Sequence, residues 1–577
     1  MYFWRTIGVL NDRRFLNNNL QGYTMTDEHN ASRRKFLKQT VIATAAAGLA
    51  QPLSAYAALA SAGSAAGKPN ILFIMADDLG WADLGCYGST DIKTPVLDKL
   101  ATQGVLFKQA YGNSPVCSAS RVAFHTMNYQ QRLFIGTQEP VFYRLDMAEA
   151  DLIDDAGIPA EHTTIANTLR NAGYDTALYG KWHAGYFNTE AEKAKKGGVG
   201  NGFGPIANGY NDFFGFLSGG VDHFTHTDWY GNADLWDGEE PAVLEGYSTD
   251  LFTERAINFI KKKEGSDQPF FLNLSYHSPH WPWEVPDNDA SDNSNHHTGK
   301  VIPDKWFGAA YPVTEDHPMG LGGFDQANRE TYAKMVENLD LNIGMVLDQL
   351  AASGKADNTI VIFTSDNGGE RFSDATPFVG SKGHLYEGGI RVPAIARWPG
   401  KFPANKVSNQ VAIGFDWSVT MLAAAGLPLK DVDGVKFDGM NLKPIIANTG
   451  KPTEKLVKRS LFWRHGGQRA ARIGDLKYLY LGDHHGKPTE ALMKFSDMPN
   501  YMLGDSDGPN FMGPNNVYEY VFDLSKDTRE QANLIDNPAY AKNTAMLKKA
   551  WDNWNAKVLP EGYKPGADRI TLTSFID

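Results

Sequence analysis

The sequence predicts an α/β fold, a sheet sandwiched by helices, followed by a smaller C-terminal α+β domain. Three observations predict it. Short continuous apolar runs, the pattern of strands buried on both faces, alternate with segments of helical periodicity. Polar residues suited to chemistry follow directly on these runs, where open α/β sheets bind ligands. Beyond about Glu454 the texture changes to several short strands and one closing helix.

The chain opens with an address. Ser32-Arg33-Arg34-Lys35-Phe36-Leu37-Lys38 reads as a twin-arginine export motif, and a weakly apolar run rich in Ala and Gly follows over residues 41–50. Ala55-Tyr56-Ala57 and Ala58-Leu59-Ala60 are candidate cleavage sites. Residues 25–60 are expected to be a signal peptide starting at Met25, with 1–24 as a non-native extension. The apolar run is too short to span a bilayer, and no lipobox cysteine follows it. A soluble periplasmic or secreted product without a stable membrane anchor is therefore expected, with the twin-arginine machinery as a partner.

A small-residue linker over 62–68 leads into the large domain, expected over 68–455. Residues 70–76 form the first buried strand and end in Asp77-Asp78. Residues 94–103 read as a helix capped by Thr94, with Pro95 in its first turn and Gly104 as its stop. Residues 163–171 form a similar helix. The strand over 176–179 runs into Gly180-Lys181-Trp182-His183. Residues 248–263 have helical spacing and a basic end, which suits the helix dipole. A strand over 269–276 runs into His277-Ser278-Pro279-His280-Trp281-Pro282. A long helix covers 328–352, and a buried strand over 359–364 precedes Asp366-Asn367-Gly368-Gly369. Segments 188–212 and 284–326 read as irregular loops around a pocket. The smaller domain, 456–577, shows strands over 460–464, 469–472, 477–481 and 521–524 and a helix over 540–558.

Composition narrows the function. The 577 residues are 42% hydrophobic and 21% charged, as in soluble globular proteins. A net charge of −12 disfavours nucleic acid as a partner and gives no polybasic membrane patch. Cys86 and Cys117 are the only cysteines, so a disulfide scaffold is excluded. Cys86 reads as a buried structural thiol.

Cys117 stands in the run Ser114-Pro115-Val116-Cys117-Ser118-Ala119-Ser120-Arg121. Asp77, Asp78, Asp366 and Asn367 are hard oxygen ligands at two strand ends, which suits Ca²⁺ or Mg²⁺ better than zinc. Cys117 begins a helix-like stretch, 118–127, whose N-terminus would turn N–H groups toward an anion. Arg121, four residues on, returns to the same face. In an extended segment Lys181 and His183 share a face across Trp182. Each feature alone has a bland alternative: a turn for the Asp pair, a small buried thiol for Cys117, a surface ion pair for Arg121, a structural ring for each histidine.

In this order, and with Lys382 in Gly380-Ser381-Lys382-Gly383-His384, the series resembles the core of the type I, formylglycine-dependent sulfatases of the alkaline phosphatase superfamily. The resemblance runs from about Lys68 to the C-terminus. It includes a tail motif, Phe522-Asp523-Leu524 with Asn533-Leu534. It implies a mixed sheet in the large domain and a short antiparallel sheet in the smaller one. It implies that a sulfatase maturation enzyme oxidises Cys117 to formylglycine (3-oxoalanine). The hydrate would attack sulfur with Asp366 as base, and His183 would deprotonate the resulting sulfoenzyme. One Ca²⁺, or Mg²⁺, would sit on Asp77, Asp78, Asp366, Asn367 and the modified Cys117. Arg121 would hold the hydrate and balance the carboxylates. Lys181 and Lys382 would bind sulfate, and His280 with Lys382 would protonate the departing alcohol. His277 and His384 match less securely, as supporting or substrate-contacting residues.

Two departures from the family pattern stand out. Ala119 replaces the proline of the usual Cys-x-Pro-x-Arg maturation motif, which points to a different class of maturation enzyme. His125-Thr126-Met127-Asn128 replaces a Thr-Gly-x-Tyr stretch and is expected to reshape the pocket wall. Export and loops rich in Trp, His and Asp suggest a sulfated carbohydrate. Asp222, His223, His226, Asp228, Trp229, Trp236 and the stretch Trp281 to Glu284 are the candidate sugar contacts. Two rival readings stand beside this one. A phosphonate monoester or phosphodiester hydrolase of the same superfamily would share the nucleophile. A non-catalytic sulfoglycan-binding protein would keep Cys117 as a thiol.

Overall fold

The large sheet takes its order from the buried apolar runs. Its strands are β1 (Asn70–Ala76), β2 (Val105–Tyr111), β3 (Asp175–Lys181), β4 (Asp212–Phe216), β5 (Trp236–Asp237), β6 (Glu240–Pro241), β7 (Phe270–Ser275), β8 (Thr359–Ser365), β9 (Arg391–Arg397), β10 (Lys406–Ser408) and β11 (Ala412–Ile413). In this computed structural model they lie in the order β10-β2-β9-β8-β1-β7-β3-β4-β5-β6, with β11 also on β2. Residues 67–133, 157–160, 162–185, 203–228, 233–286, 328–431, 434–465, 467–481 and 519–559 are described. The export motif, the 1–24 extension, Trp229 and most of both expected pocket loops lie outside these residues.

The central strands β8, β1, β7, β3 and β4 are parallel, and β9 runs antiparallel between β8 and β2. The sheet is therefore mixed. Side chains alternate across it, so β1 feeds two cores. Leu72 and Ile74 pack on one face with Leu97, Phe252, Leu339 and Ile343, while Ile71, Phe73 and Met75 pack on the other with Val122, Leu169 and Met421. The first face is covered by α1 (Pro95–Thr102), α4 (Ser248–Lys262) and α5 (Arg329–Ala352); the second carries α2 (Cys117–Thr126), α3 (Ile165–Asn171) and α7 (Gly414–Ala424). The short α6 (Glu387–Ile390) lies between β8 and β9 in the chain, and α8 (Lys443–Ile446) follows α7. Among the described residues no helix is long and apolar enough to cross a membrane.

A second sheet of four antiparallel strands, β12 (Ser460–His465), β13 (Gln468–Ile473), β14 (Leu476–Tyr480) and β15 (Glu519–Asp523), carries α9 (Ala541–Asn555). It shares a core with the large sheet: Trp463, Leu479, Val521 and Trp551 cluster with Tyr111, Tyr129, Leu385 and Ile390.

Two local expectations are corrected. Thr94 does not cap α1 with its side chain; its hydroxyl accepts from the Gly85 N–H (2.9 Å) and donates to Asp98 (3.1 Å). The cap comes from α5, where Asp340 accepts the Val96 and Leu97 N–H groups at 2.9 and 2.8 Å. Gly104 is less a helix stop than a close approach, since a Cβ there would lie 2.3 Å from the Ala396 carbonyl oxygen on β9.

His125 also lies elsewhere than expected. It is buried on α2 against Trp182 (centroids 4.5 Å apart) and Tyr210, within the second core and not on a pocket wall. Burial, and then Arg121, push its pKa down to about 3. An unfolded histidine titrates near 6.5. Between these values the unfolded chain binds a proton that the folded chain does not, so this contribution leaves stability intact above pH 6.5 and erodes it as the pH falls toward 3. His125→Phe should therefore flatten the fall in melting temperature between pH 6.5 and 4, read by calorimetry. A fall as steep as the wild type's would remove His125 from the acid response.

Candidate active site

The parallel strands deliver their carboxyl ends to one edge of the sheet. There β1 leads to Asp77 and Asp78, β3 ends in Lys181, β7 leads to His277 and His280, and β8 leads to Asp366 and Asn367. From β2 the chain passes through 112–116 into α2, whose first residue is Cys117. Ser120 fastens this approach, accepting from the Ser114 N–H (2.9 Å) and donating to the Ser114 carbonyl (3.0 Å). Gly112 permits it, because a Cβ there would meet the Asp366 carbonyl oxygen at 2.5 Å.

The site is a buried network of opposite charges. Lys181 Nζ lies 2.6 Å from Asp77 Oδ2, and Lys382 Nζ lies 2.6 Å from Asp78 Oδ2. Arg121 Nε donates to Asp366 Oδ2 at 3.0 Å; its NH2 group lies 2.8 Å from the same oxygen and 3.3 Å from Asp77 Oδ1. Its NH1 group donates to Ser275 Oγ (2.6 Å) and to the Lys181 carbonyl (3.2 Å). Three carboxylates thus face three cations with almost no water to screen them. Burial alone would push the guanidinium down, but Asp366 and Asp77 outweigh it and hold Arg121 charged. The same balance holds Lys382 well above the usual lysine range, with Asp78 as its largest support.

Cys117 Sγ stands where the expected aldehyde would be carried. It lies 3.6 Å from Asp78 Oδ1. Burial, then Asp77 and Asp78, push the thiol well above its ordinary range, so the unmodified side chain stays protonated. That opposes a thiolate nucleophile of the cysteine-protease kind. Both cysteines are free, and Cys86, only partly buried, sits by Asp98.

The geometry bears on several expected roles. The carboxylate within reach of Sγ belongs to Asp78. Both carboxylates are engaged: Asp366 Oδ2 by Arg121 and Oδ1 by the Asp78 and Asn367 N–H groups (3.3 and 2.9 Å), Asp78 Oδ1 by the Asn367 Nδ2 group (2.7 Å) and Oδ2 by Lys382 (2.6 Å). Arg121 bonds Asp366 through Nε and Ser275 and the Lys181 carbonyl through NH1, and its NH2 group lies in ion-pair range of Asp366 and Asp77, which makes it the balancing charge. His183 has a φ of +45°, so the extended segment assumed for Lys181 and His183 ends before it. His183 is buried at the same end of β3.

His280 Nε2 lies 3.2 Å from Lys382 Nζ and 3.5 Å from Asp78 Oδ2. Burial, then Lys382 and Lys181, hold it well below the ordinary histidine range. His277 is similarly held down by burial and then His223, and burial pushes His223 down to about 4. His223 is fully buried, bonded to Ser248 Oγ (2.8 Å) and the His280 carbonyl (3.1 Å), so it supports the site and does not line a sugar pocket. His226 is buried too, bonding the backbone at Gly246 and Leu244. Asp222 is buried and accepts the Phe224 and Thr225 N–H groups, while Trp236 donates to Asp234. Asp228 is buried. Trp281 stacks on His280 at 5.2 Å. His384 lies in the turn with Ser381, and burial pushes it down to about 4. The sequence did not single out Glu370, whose Oε2 is 3.4 Å from Lys382 Nζ; its place four residues beyond Asp366 was the only signal.

A divalent cation fits this donor set. Asp77, Asp78, Cys117 and His280 each offer a ligand atom within 4.8 Å of the others. Beside them Asn367 Oδ1 is buried without a hydrogen-bond partner. The Asn367 Nδ2 group donates to Asp78 Oδ1 (2.7 Å) and to the Gly368 carbonyl (2.9 Å), which fixes the amide and leaves the oxygen as the orphan. A buried carbonyl oxygen of this kind is costly unless a donor or cation meets it. The oxygen-rich set suits a hard cation.

Comparison with known proteins agrees with this geometry. A family model described as Sulfatase matches residues 69–427. Human N-acetylgalactosamine-6-sulfatase is 31% identical over 440 residues, covering 71% of this chain and 71% of its own. Human arylsulfatase A is 29% identical over 524 residues, covering 85% and 88%. The solved structure of Ps i-CgsB in complex with k-i-k-neocarrahexaose is 25% identical with a TM-score of 0.63, covering 88% and 96%.

Two outcomes follow from the network. Arg121→Met leaves buried Asp366 without its cation and takes one of two cations from Asp77, and should cost about 3–5 kcal/mol in urea unfolding; a loss under about 1 kcal/mol would show that the network does not depend on it. Saturating Ca²⁺ should raise the melting temperature of the wild type, by the equivalent of about 2.7 kcal/mol at 100-fold over Kd. Asp78→Ala and Asn367→Ala should each abolish that rise in calorimetry. An undiminished rise in both would remove these ligands.

Proposed function

The chain belongs to the sulfatase family and hydrolyses sulfuric esters, and we propose that its substrate is a sulfated carbohydrate attacked by a formylglycine made from Cys117. One observation carries the mechanism. Cys117, at the start of α2, lies beside Asp78, and Lys382 bridges that carboxylate to His280 Nε2. The position of the nucleophile, an anion-binding cation and the leaving-group side are thus linked in series through Asp78 and Lys382.

An aldehyde hydrate supplies a hydroxyl nucleophile for sulfur and a second hydroxyl on the same carbon, which a serine lacks. A divalent cation on Asp77, Asp78, Asp366 and Asn367, with the residue at position 117, supplies charge to offset the sulfate oxygens. The rest belongs to the chain itself. Asp78 Oδ1 is placed to take a proton from the group at position 117. Lys181 and Lys382, paired with Asp77 and Asp78 in the chain alone, are the ammonium groups that would bind the ester anion once those carboxylates held a cation. His280 Nε2 faces the departing alcohol, with Lys382 as the neighbouring proton source. His183, at the end of β3, is the base we assign to the second half of the reaction.

The carbohydrate assignment rests on the N-acetylgalactosamine-6-sulfatases and on the oligosaccharide complex of Ps i-CgsB as relatives. Trp281, stacked on His280, is the aromatic surface nearest the leaving-group side. Export by the twin-arginine route to the periplasm or beyond is our reading of Ser32 to Lys38 and the apolar run after it. It suits a chain modified, and loaded with metal, before it leaves the cytoplasm.

Mass spectrometry of the tryptic peptide Gln109–Arg121, from protein made in its native source, should show an aldehyde at position 117. An intact thiol in active enzyme would overturn the formylglycine. Cys117→Ala should abolish turnover of an aryl sulfate while leaving the melting curve in place, and appreciable residual turnover would sink the mechanism.

A further inference from the structure

Behind His280 the rings form a column. Tyr247 and His223 stack at 5.0 Å, His223 and His277 at 4.4 Å, and His280 and Trp281 at 5.2 Å, all within 30° of parallel. His277 and His280 join the two stacks at 4.9 Å and 32°. The edge of Phe216 closes the side of His277 at 4.9 Å. Both His223 and His277 are wholly buried. Neither therefore reaches substrate, and a filler role would need only apolar rings.

Hydrogen bonds fix the proton positions along this column. His280 Nδ1 lies 2.6 Å from the Trp281 carbonyl oxygen, which only accepts, so Nδ1 carries the proton. The same Nδ1–H faces His277 Nε2 at 3.2 Å. A proton on His277 Nε2 would collide with it, so Nε2 accepts and the His277 proton sits on Nδ1. His223 Nε2 donates to the His280 carbonyl at 3.1 Å, and its Nδ1 accepts from Ser248 Oγ at 2.8 Å. The His280 N–H donates to the His277 carbonyl at 2.9 Å, closing the turn. The remaining nitrogen of His280, Nε2, is turned to Lys382 Nζ.

We infer that His277 is a positioning residue: its Nε2 lone pair and ring face, held in turn by His223, fix His280 with its proton on Nδ1 and Nε2 open, in the orientation in which Nε2 takes a proton from Lys382 and hands it to the departing alcohol. This rests on the assignment of His280 to the leaving group, and it adds a residue that acts only through His280. A misplaced proton relay matters little when the leaving group is already a stable anion and much when it is a poor one.

The test compares aryl sulfates of graded leaving-group pKa with His277→Phe, which keeps the ring but removes the acceptor, and His277→Gln, whose amide oxygen can replace Nε2. His277→Asn, too short to place an atom there, serves if the Phe variant does not fold. His280→Ala is measured alongside. For the Phe or Asn variant kcat/KM should fall less than about 3-fold for the best leaving group and more than about 30-fold for the worst, a steeper dependence consistent with losing general acid help of 10²–10⁴-fold, and Gln should restore the wild-type slope. If His280→Ala shows no steepening, the assignment of His280 falls. If it steepens while the Phe or Asn variant keeps the wild-type slope, or loses equally on every ester, His277 is packing alone and the inference is overturned.

Discussion

The Arg121 guanidinium is the contact on which the rest of the site depends. It reaches the carboxyl ends of four strands at once: Asp77 after β1, the Lys181 carbonyl of β3, Ser275 of β7 and Asp366 after β8. It does so from α2, the helix that also carries Cys117. One buried cation therefore sets the distance between the nucleophile's helix and the edge of the sheet. Taking it out of water is expensive, and only several acceptors at good geometry repay that cost. Arginine suits the task because its planar fork presents five donors in fixed directions, where a lysine would offer one point charge.

This charge balance also supports the proposal that the residue at position 117 is a precursor. A thiol flanked by Asp77 and Asp78, out of water, resists ionisation. The same surroundings would suit a neutral hydroxyl that gives up its proton only as sulfur is attacked. The lysines point the same way. In the chain alone, Lys181 and Lys382 neutralise the carboxylates directly. Charge supplied by a divalent cation would leave both ammonium groups free for an anion, and Asn367 Oδ1 is the oxygen waiting for such an ion.

What was legible in the sequence follows from physical range. Strands β1, β3, β7 and β8 were readable because burial on both faces demands a continuous apolar run, and the residues after them fell at the site because parallel strands end together. The turn at His183 was not readable because its positive φ depends on how the chain leaves β3, which no periodicity encodes. The cap of α1 was missed for a similar reason: Asp340 lies some 240 residues away in sequence. His223 looked like a surface sugar contact within a stretch of polar and aromatic residues. Its burial comes from contacts with Ser248 and His277, which the fold brings from two other segments.

The second sheet has a part in the chemistry although it carries none of the reacting groups. Gln468 on β13 donates to the Gly383 carbonyl (2.8 Å) and accepts from the Leu385 N–H (3.0 Å), bracketing the turn after Lys382. A few residues on, Glu387 is buried between Lys477 of β14 (3.0 Å), Arg391 (3.1 Å) and Tyr111 (2.6 Å). Although burial opposes it, Lys477 and Arg391 hold that carboxyl down to about 2, so it stays charged. Lys477 is completed by Glu530 at 2.8 Å, and the Glu530 carboxylate also accepts the Glu387 N–H at 2.6 Å. A loop with its own glycines at 380, 383, 388 and 389 has little stiffness of its own. Anchored to the second sheet at Gly383, Leu385 and Glu387, it delivers Lys382 to within 2.6 Å of Asp78. The C-terminal sheet is thus the outer wall against which an otherwise pliable, cation-bearing loop is held, just as Arg121 holds the inner one.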